Sequence, residues 1–138
     1  MKIITLSEEF YNAHMNCNEI LQKKDRPYAC LEVTVEGIRF AIPFRHHIHH
    51  TYSYLTIGDA GLDFSKSVII DEEEYDASSL AIIDSAEFAI IKRDEQKIKY
   101  EFRKFLNQYR KALRRQDVPR NARLVQYSAL QYFEDRLL

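Results

Sequence analysis

Glycine and proline are scarce, three of each in 138 residues. No low-complexity stretch interrupts the chain, which excludes linker-like and collagen-like organisation and leaves disorder expected only at the ends. Cysteine occurs twice, at Cys17 and Cys30, without a CxxC pair. No signal-peptide pattern opens the sequence, so both thiols are expected to be reduced, in a cytoplasmic protein. No apolar run approaches the roughly 20 residues of a membrane helix, so no membrane association is expected. Also missing are a glycine-rich phosphate loop, a GxSxG elbow and an HExxH motif. The acidic residues Asp71, Glu72, Glu73 and Glu74 lack the ligand spacing of a calcium loop and are expected to be a solvated helix start. No cofactor is expected.

What is present is sufficient for one domain over residues 1–138. Hydrophobic residues make up 46% of the chain, and a chain of this length buries enough surface to fold without disulfides or metal. The net charge of −1 conceals an uneven distribution. Residues 1–91 carry 7 Lys/Arg against 15 Asp/Glu, whereas residues 92–123 carry 12 against 4. A basic stretch of this kind is the footprint of a phosphate-backbone binder, or else a solvated helix face neutralised by the acidic half.

Periodicity divides the chain by element type. Residues 2–6 read as a strand, and Ser7 before Glu8 and Glu9 as a helix start. Residues 16–24 read as a second short helix. Residues 28–36 alternate with period two, Glu36-Gly37 is a hairpin turn, and residues 38–44 return. Cys30 falls in the alternating run as a small core residue. Pro43 signals that the ladder weakens there. Residues 51–63 read as a loop, residues 67–70 as a strand and residues 80–83 as a short apolar segment, with helix from Ser85 onward. Ile98, Phe102, Phe105, Leu106, Tyr109, Ala112 and Leu113 form a helical stripe over residues 94–115. Pro119 is expected to end that helix. Asn121 would then cap a last one with Leu124, Tyr127, Leu130, Phe133 and Leu137 buried. Strands come mostly first and helices last, so the class is α+β with an antiparallel sheet and a helical C-terminal part.

Four of the five histidines lie in the run Arg45-His46-His47-Ile48-His49-His50. Imidazole both takes and gives a proton near neutral pH, its ordinary pKa being about 6.5. Three readings stand: a metal site, a set of packed or exposed imidazoles, and acid–base chemistry or RNA contact. Alternate residues of an extended chain point to opposite sides, so all four rings cannot converge unless a loop gathers two or three. Metal-free RNA cleavage needs a base for the ribose 2′-OH, an acid for the departing 5′-oxygen and a cation for the charge that builds on phosphorus. Histidines with Arg45 or Lys66 satisfy that list. Tyr28, Tyr52 and Tyr54 flank the run, and unpaired bases stack on such rings. Each of these side chains also has an ordinary reading, as a surface charge, an ion pair or a packed ring.

Several segments together carry a resemblance. They are Arg26-Pro27-Tyr28 opening a strand, the hairpin end Phe40-Ala41-Ile42-Pro43-Phe44-Arg45, the polar run closing on His50, and Gly61-Leu62-Asp63-Phe64-Ser65-Lys66-Ser67-Val68-Ile69-Ile70, with a basic helix behind. The chain resembles the endoribonuclease toxins of type III toxin–antitoxin systems, the ToxN/AbiQ group, and within it the TenpN branch. The resemblance implies a strongly twisted antiparallel sheet surrounded by helices. It also implies metal-independent cleavage leaving a 2′,3′-cyclic phosphate, and inhibition by a cognate RNA antitoxin made of repeats. Assembly with that RNA into a closed multimer, and a role in phage defence by abortive infection, would follow. Cellular or phage RNA would be the substrate. Where the family carries serine and lysine before its closing histidine, this chain has His46 and His49, while Lys66 fits a family lysine after the Gly-Leu-Asp segment.

The resulting expectation for catalysis is His46, His49 and His50 as the source of base and acid, with Arg45 and Lys66 stabilising charge. RNA contacts are expected from Tyr28, His47, Tyr52, Arg103, Lys104, Arg110, Lys111, Arg114 and Arg115. The alternative is a non-catalytic RNA-binding protein on the same scaffold.

Overall fold

A computed structural model describes residues 2–22, 28–76 and 83–137. Its strands are β1 (Lys2–Leu6), β2 (Ala29–Val35), β3 (Ile38–Arg45), β4 (Ser53–Ile57), β5 (Ala60–Asp63), β6 (Val68–Ile69) and β7 (Tyr75–Asp76). The helices are α1 (Glu8–Ala13), α2 (Ser85–Arg93), α3 (Glu95–Arg114), α4 (Pro119–Tyr127) and α5 (Glu134–Leu137), with 3-10 turns at Phe64–Lys66, Glu72–Glu74 and Ala129–Phe133. The architecture is α+β, with an antiparallel sheet in the order β4-β5-β3-β2-β1-β7 and a helical C-terminal part. Among the described residues no helix is long and apolar enough to cross a membrane.

The alternating pattern of β2 and β3 folds as the hairpin it predicts. Val35 pairs with Ile38 across a two-residue turn in which Glu36 and Gly37 both take positive φ (55° and 76°), the conformation that matches strand twist in tight hairpins. Val33 and Phe40 face each other and are fully buried, and Cys30 lies in the core as expected.

Pro43 does not end the ladder. It pairs with Cys30 on the β2 side, and β3 then continues on its other edge, Phe44 with Leu62 and Arg45 with Gly61. That edge is shared by two strands. β6 pairs with Phe40 and Ala41, β5 with Phe44 and Arg45, and the Phe64–Lys66 turn lies between them. Residues 51–63, expected as a loop, instead contain the β4–β5 hairpin, with Gly58 in its turn at φ 60°. Residues 16–22 form turns rather than a helix, and the expected apolar segment at 80–83 lies outside the described residues except Ile83.

α3 packs by the stripe its spacing predicts. Ile98, Phe102, Phe105, Leu106, Tyr109 and Ala112 are buried. Phe102 meets Phe40 of β3 edge-on at 5.0 Å and Phe64 at 5.3 Å, and Phe64 also lies 5.9 Å from Phe105. Burying each such ring stabilises the fold by about 1.5–3 kcal/mol, and together they fasten the 3-10 turn to the helix. Pro119 does not end α3 but opens α4 at its first turn, where its missing N–H would have had no helical partner. Tyr127, expected in the core, is exposed.

Gly61 sits where β5 is squeezed between β3 and a bulge in β4 at Leu55/Ile57. A Cβ there would fall on the Tyr54 carbonyl oxygen and 2.8 Å from the Leu55 Cα. Both obstacles are backbone and cannot rotate away. Gly61→Ala is expected to cost about 2–3 kcal/mol in urea unfolding, and a change below a few tenths would show that β4 is not held there.

Candidate nucleic-acid interface

The Phe64–Lys66 turn exists because Asp63 caps it. The Asp63 carboxylate, fully buried, accepts the Ser65 backbone N–H at 3.0 Å and the Ser65 hydroxyl at 2.6 Å. Two further donors arrive from elsewhere. Arg45, at the end of β3, donates through a guanidinium nitrogen at 2.9 Å, and His50 brings Nε2 to 3.2 Å. Burial alone would push this carboxyl up, but the bonds from His50, Ser65 and Arg45 outweigh it and hold it below the usual carboxylate range.

His50 is oriented from both sides. Its Nδ1 accepts the Tyr52 backbone N–H at 3.1 Å, so the proton of the neutral ring belongs on Nε2, beside Asp63 and 3.4 Å from the Ser65 hydroxyl. Lys66, next along the turn, donates its ammonium to the Tyr127 carbonyl at 2.8 Å. Burial pushes this lysine below its ordinary value, against an opposing pull from Asp63 and Glu19.

Two adjoining hollows run from this cluster across the helices. One, of about 360 Å³, is lined by His50, Ser65, Arg123 and Tyr127 among others. The second, of about 600 Å³, is lined by Lys111, Arg114 and Arg115 of the α3 end with Gln108 and Asn121. Tyr52, Arg120 and Leu124 line both, which makes one groove. On α4, Arg120, Arg123, Leu124 and Tyr127 follow at i, i+3, i+4 and i+7 and so share one face; that face forms the groove wall.

The histidine run is divided by this geometry. His50 alone of the four lines the groove. His46, His47 and His49 are exposed, with the His46 ring 6.4 Å from that of His47. Ile48 between them is buried and its N–H donates to the Asp59 carbonyl at 2.9 Å. The structure therefore does not bring His46 and His49 together with His50 around one groove.

Other expected residues separate similarly. Arg45 is committed to Asp63. Tyr28 is half-buried against the core and shares a small hollow with Lys66 and Pro43. Tyr52, Lys111, Arg114 and Arg115 line the groove, Arg115 with Asp117 against its guanidinium at 3.0 and 3.1 Å. Arg110 turns away, donating to Glu36 at 2.9 Å and to the Leu137 carbonyl at 3.0 Å. Arg103 and Lys104 are exposed on α3, and Lys104 lies over the Tyr100 ring at 5.5 Å and 3.8 Å from Glu101.

Asp63 and Ser65 of the cluster and Arg120, Arg123 and Tyr127 of the groove wall are not among the site residues expected from the sequence. The i, i+3 arginines of α4 were the available signal. Nothing local marks Asp63, whose importance comes from burial. No family model, curated protein or solved structure matches the chain.

Asp63→Asn keeps the shape but removes the charge, leaving Arg45 and His50 facing a weaker acceptor. Because Arg45 retains partial exposure (35% of its side chain), the expected loss is about 2–3 kcal/mol rather than the larger cost of a fully buried broken pair. The folded value of Asp63 is lowered, so its contribution is complete above the unfolded value of about 4 and is lost as pH falls through the folded one. Urea unfolding of parent and variant should therefore converge below pH 4. Equal stability at pH 7 would remove Asp63 from its central place.

Proposed function

We propose that this chain is a metal-independent endoribonuclease of the kind implied by its resemblance to type III toxins, cleaving RNA laid along the groove. One observation carries the reading: a groove lined by Lys111, Arg114, Arg120 and Arg123 ends at an imidazole oriented through a buried carboxylate. Guanidinium and ammonium groups grip phosphate oxygens, and Tyr52 and Tyr127 offer ring faces to unpaired bases. At the His50 end the ribose 2′-oxygen attacks the adjacent phosphorus. The bond from phosphorus to the 5′-oxygen breaks, leaving a 2′,3′-cyclic phosphate on one fragment and a 5′-hydroxyl on the other. His50 is the proton carrier: Nε2 takes the 2′-hydroxyl proton and returns it to the departing 5′-oxygen, which requires the ring's own proton to sit on Nδ1 and the Tyr52 N–H bond to that nitrogen to be released when RNA binds. Lys66 and the groove arginines stabilise charge on the phosphoryl oxygens. Arg45 acts through Asp63 as a positioning residue. Ser65 and Lys66, supplied by the 3-10 turn, take the place of the serine and lysine that the family carries ahead of its histidine.

The rest of the reading follows from the resemblance. A cognate RNA antitoxin of repeated units would occupy the same basic surface and close a multimer in the cytoplasm, and release of the enzyme onto cellular or phage RNA would serve phage defence. The alternative, a non-catalytic RNA-binding protein, is favoured by one observation: both His50 ring nitrogens and the Lys66 ammonium already have protein partners.

Incubation with RNA in EDTA separates the two. Cyclic-phosphate ends support the enzyme, and the rate should fall about 10²–10⁴-fold in His50→Ala. Lys66→Met should lose activity while its melting temperature stays near the parent's, since the lost hydrogen bond is offset by relief of a partly buried charge. Retention without cleavage supports the binding module.

The groove has its own test. Removing Lys111, Arg120 and Arg123 together with Gln substitutions should flatten the slope of log affinity against log salt for single-stranded RNA by about 2, at roughly 0.7 per phosphate contact. Arg110→Gln should leave that slope alone and lower stability instead. A triple variant with the parent slope would move RNA off this groove.

A further inference from the structure

Two of the three histidines left outside the groove, His47 and His49, lie with Asp59 in one cluster. The loop after β3 sets His47 and His49 on either side of Ile48, and the buried Ile48 side chain anchors that loop in the protein. His47 and His49 are both exposed, with the buried Ile48 between them. The Ile48 N–H bond to the Asp59 carbonyl holds the β4–β5 turn alongside. One ligand atom each from His47, His49 and Asp59 then lies within 4.8 Å of the others. Asp59 Oδ2 is 3.4 Å from His47 Nδ1. In a tetrahedral zinc site with bonds of about 2.0–2.1 Å, neighbouring ligand atoms stand roughly 3.3–3.4 Å apart. One edge of the polyhedron is already at that length, and all three side chains are exposed. His47 also holds φ 58°, a conformation in which side chains are uncommon.

We propose that His47, His49 and Asp59 form a surface site for a divalent, imidazole-preferring ion such as Zn²⁺, with remaining positions open to water or an incoming ligand. Two imidazoles and one carboxylate suit zinc and its neighbours rather than Mg²⁺ or Ca²⁺, which take oxygen ligands. The site joins the β3–β4 loop to the β4–β5 turn. It stands apart from the groove and does not depend on the reading of that groove as a nuclease.

Isothermal titration of the EDTA-stripped, dialysed full chain with ZnCl₂ at pH 7.5 tests it. One Zn²⁺ should bind per chain, Mg²⁺ should give no saturating heat, and thermal unfolding should shift upward in zinc. His49→Ala and Asp59→Asn should each weaken zinc binding by at least about tenfold, the loss that even outer-shell partners cause. His47→Gly separates ligand loss from misfolding: glycine suits the positive φ, so the melting temperature without metal should hold or rise while zinc affinity falls as far. Absence of saturable zinc binding by the parent, or parent-like affinity in all three variants, would overturn the assignment.

Discussion

A buried carboxylate organises this structure. Asp63 cannot leave water as an anion unless several donors surround it, and the four it recruits come from three places: the 3-10 turn supplies two, the end of β3 one and the following loop one. Satisfying that one charge sets the direction of Arg45, the hydroxyl of Ser65 and the ring of His50 together. The turn interrupts the edge of β3 because Asp63 caps it there, and the interruption is what brings Ser65 and Lys66 out of the ladder.

Aromatic packing then places this cluster relative to the basic helices. Phe64 follows Asp63 directly and packs against Phe102 and Phe105, so the position of the turn is set by α3. α3 in turn packs α4, whose groove-facing side mixes two arginines with Leu124 and Tyr127. The basic stretch is divided in its employment. Arg93, Lys104, Arg110 and Arg115 each lie against an acidic side chain, and Arg110 reaches across to Glu36 in the acidic half. Of the other eight cations of residues 92–123, Lys111, Arg114, Arg120 and Arg123 lie where α3 ends and α4 begins, which is where the groove opens.

Legibility in the sequence followed the range of the interactions. The β2–β3 hairpin and the α3 stripe were readable because a two-residue turn and a 3.6-residue repeat are local properties. The β4–β5 hairpin was not. Leu55 and Ile57 are exposed and alternation is broken by a bulge, so the strand exists by pairing rather than by burial of one face. Residues 16–22 have helix-compatible composition yet turn repeatedly, with Cys17 accepting from Ile20. Tyr127 had core spacing on its helix but faces the groove, because α4 ends there and the chain continues in a 3-10 turn that resets the phase. The histidine run is legible as a feature, but strand-exit geometry rather than composition decides which ring meets Asp63.

The amino-acid order on its own determined the class of fold, the β2–β3 hairpin, the buried face of α3 and the concentration of positive charge behind it. All of these depend on residues near one another along the chain. Tertiary structure decided which charges are spent on ion pairs and which line the groove, that Asp63 is buried, and that His50 parts company with His46, His47 and His49. Those outcomes depend on what stands across space from each side chain. The worth of a carboxylate or an imidazole is set by solvent exclusion and by donors tens of residues away, which no local pattern encodes.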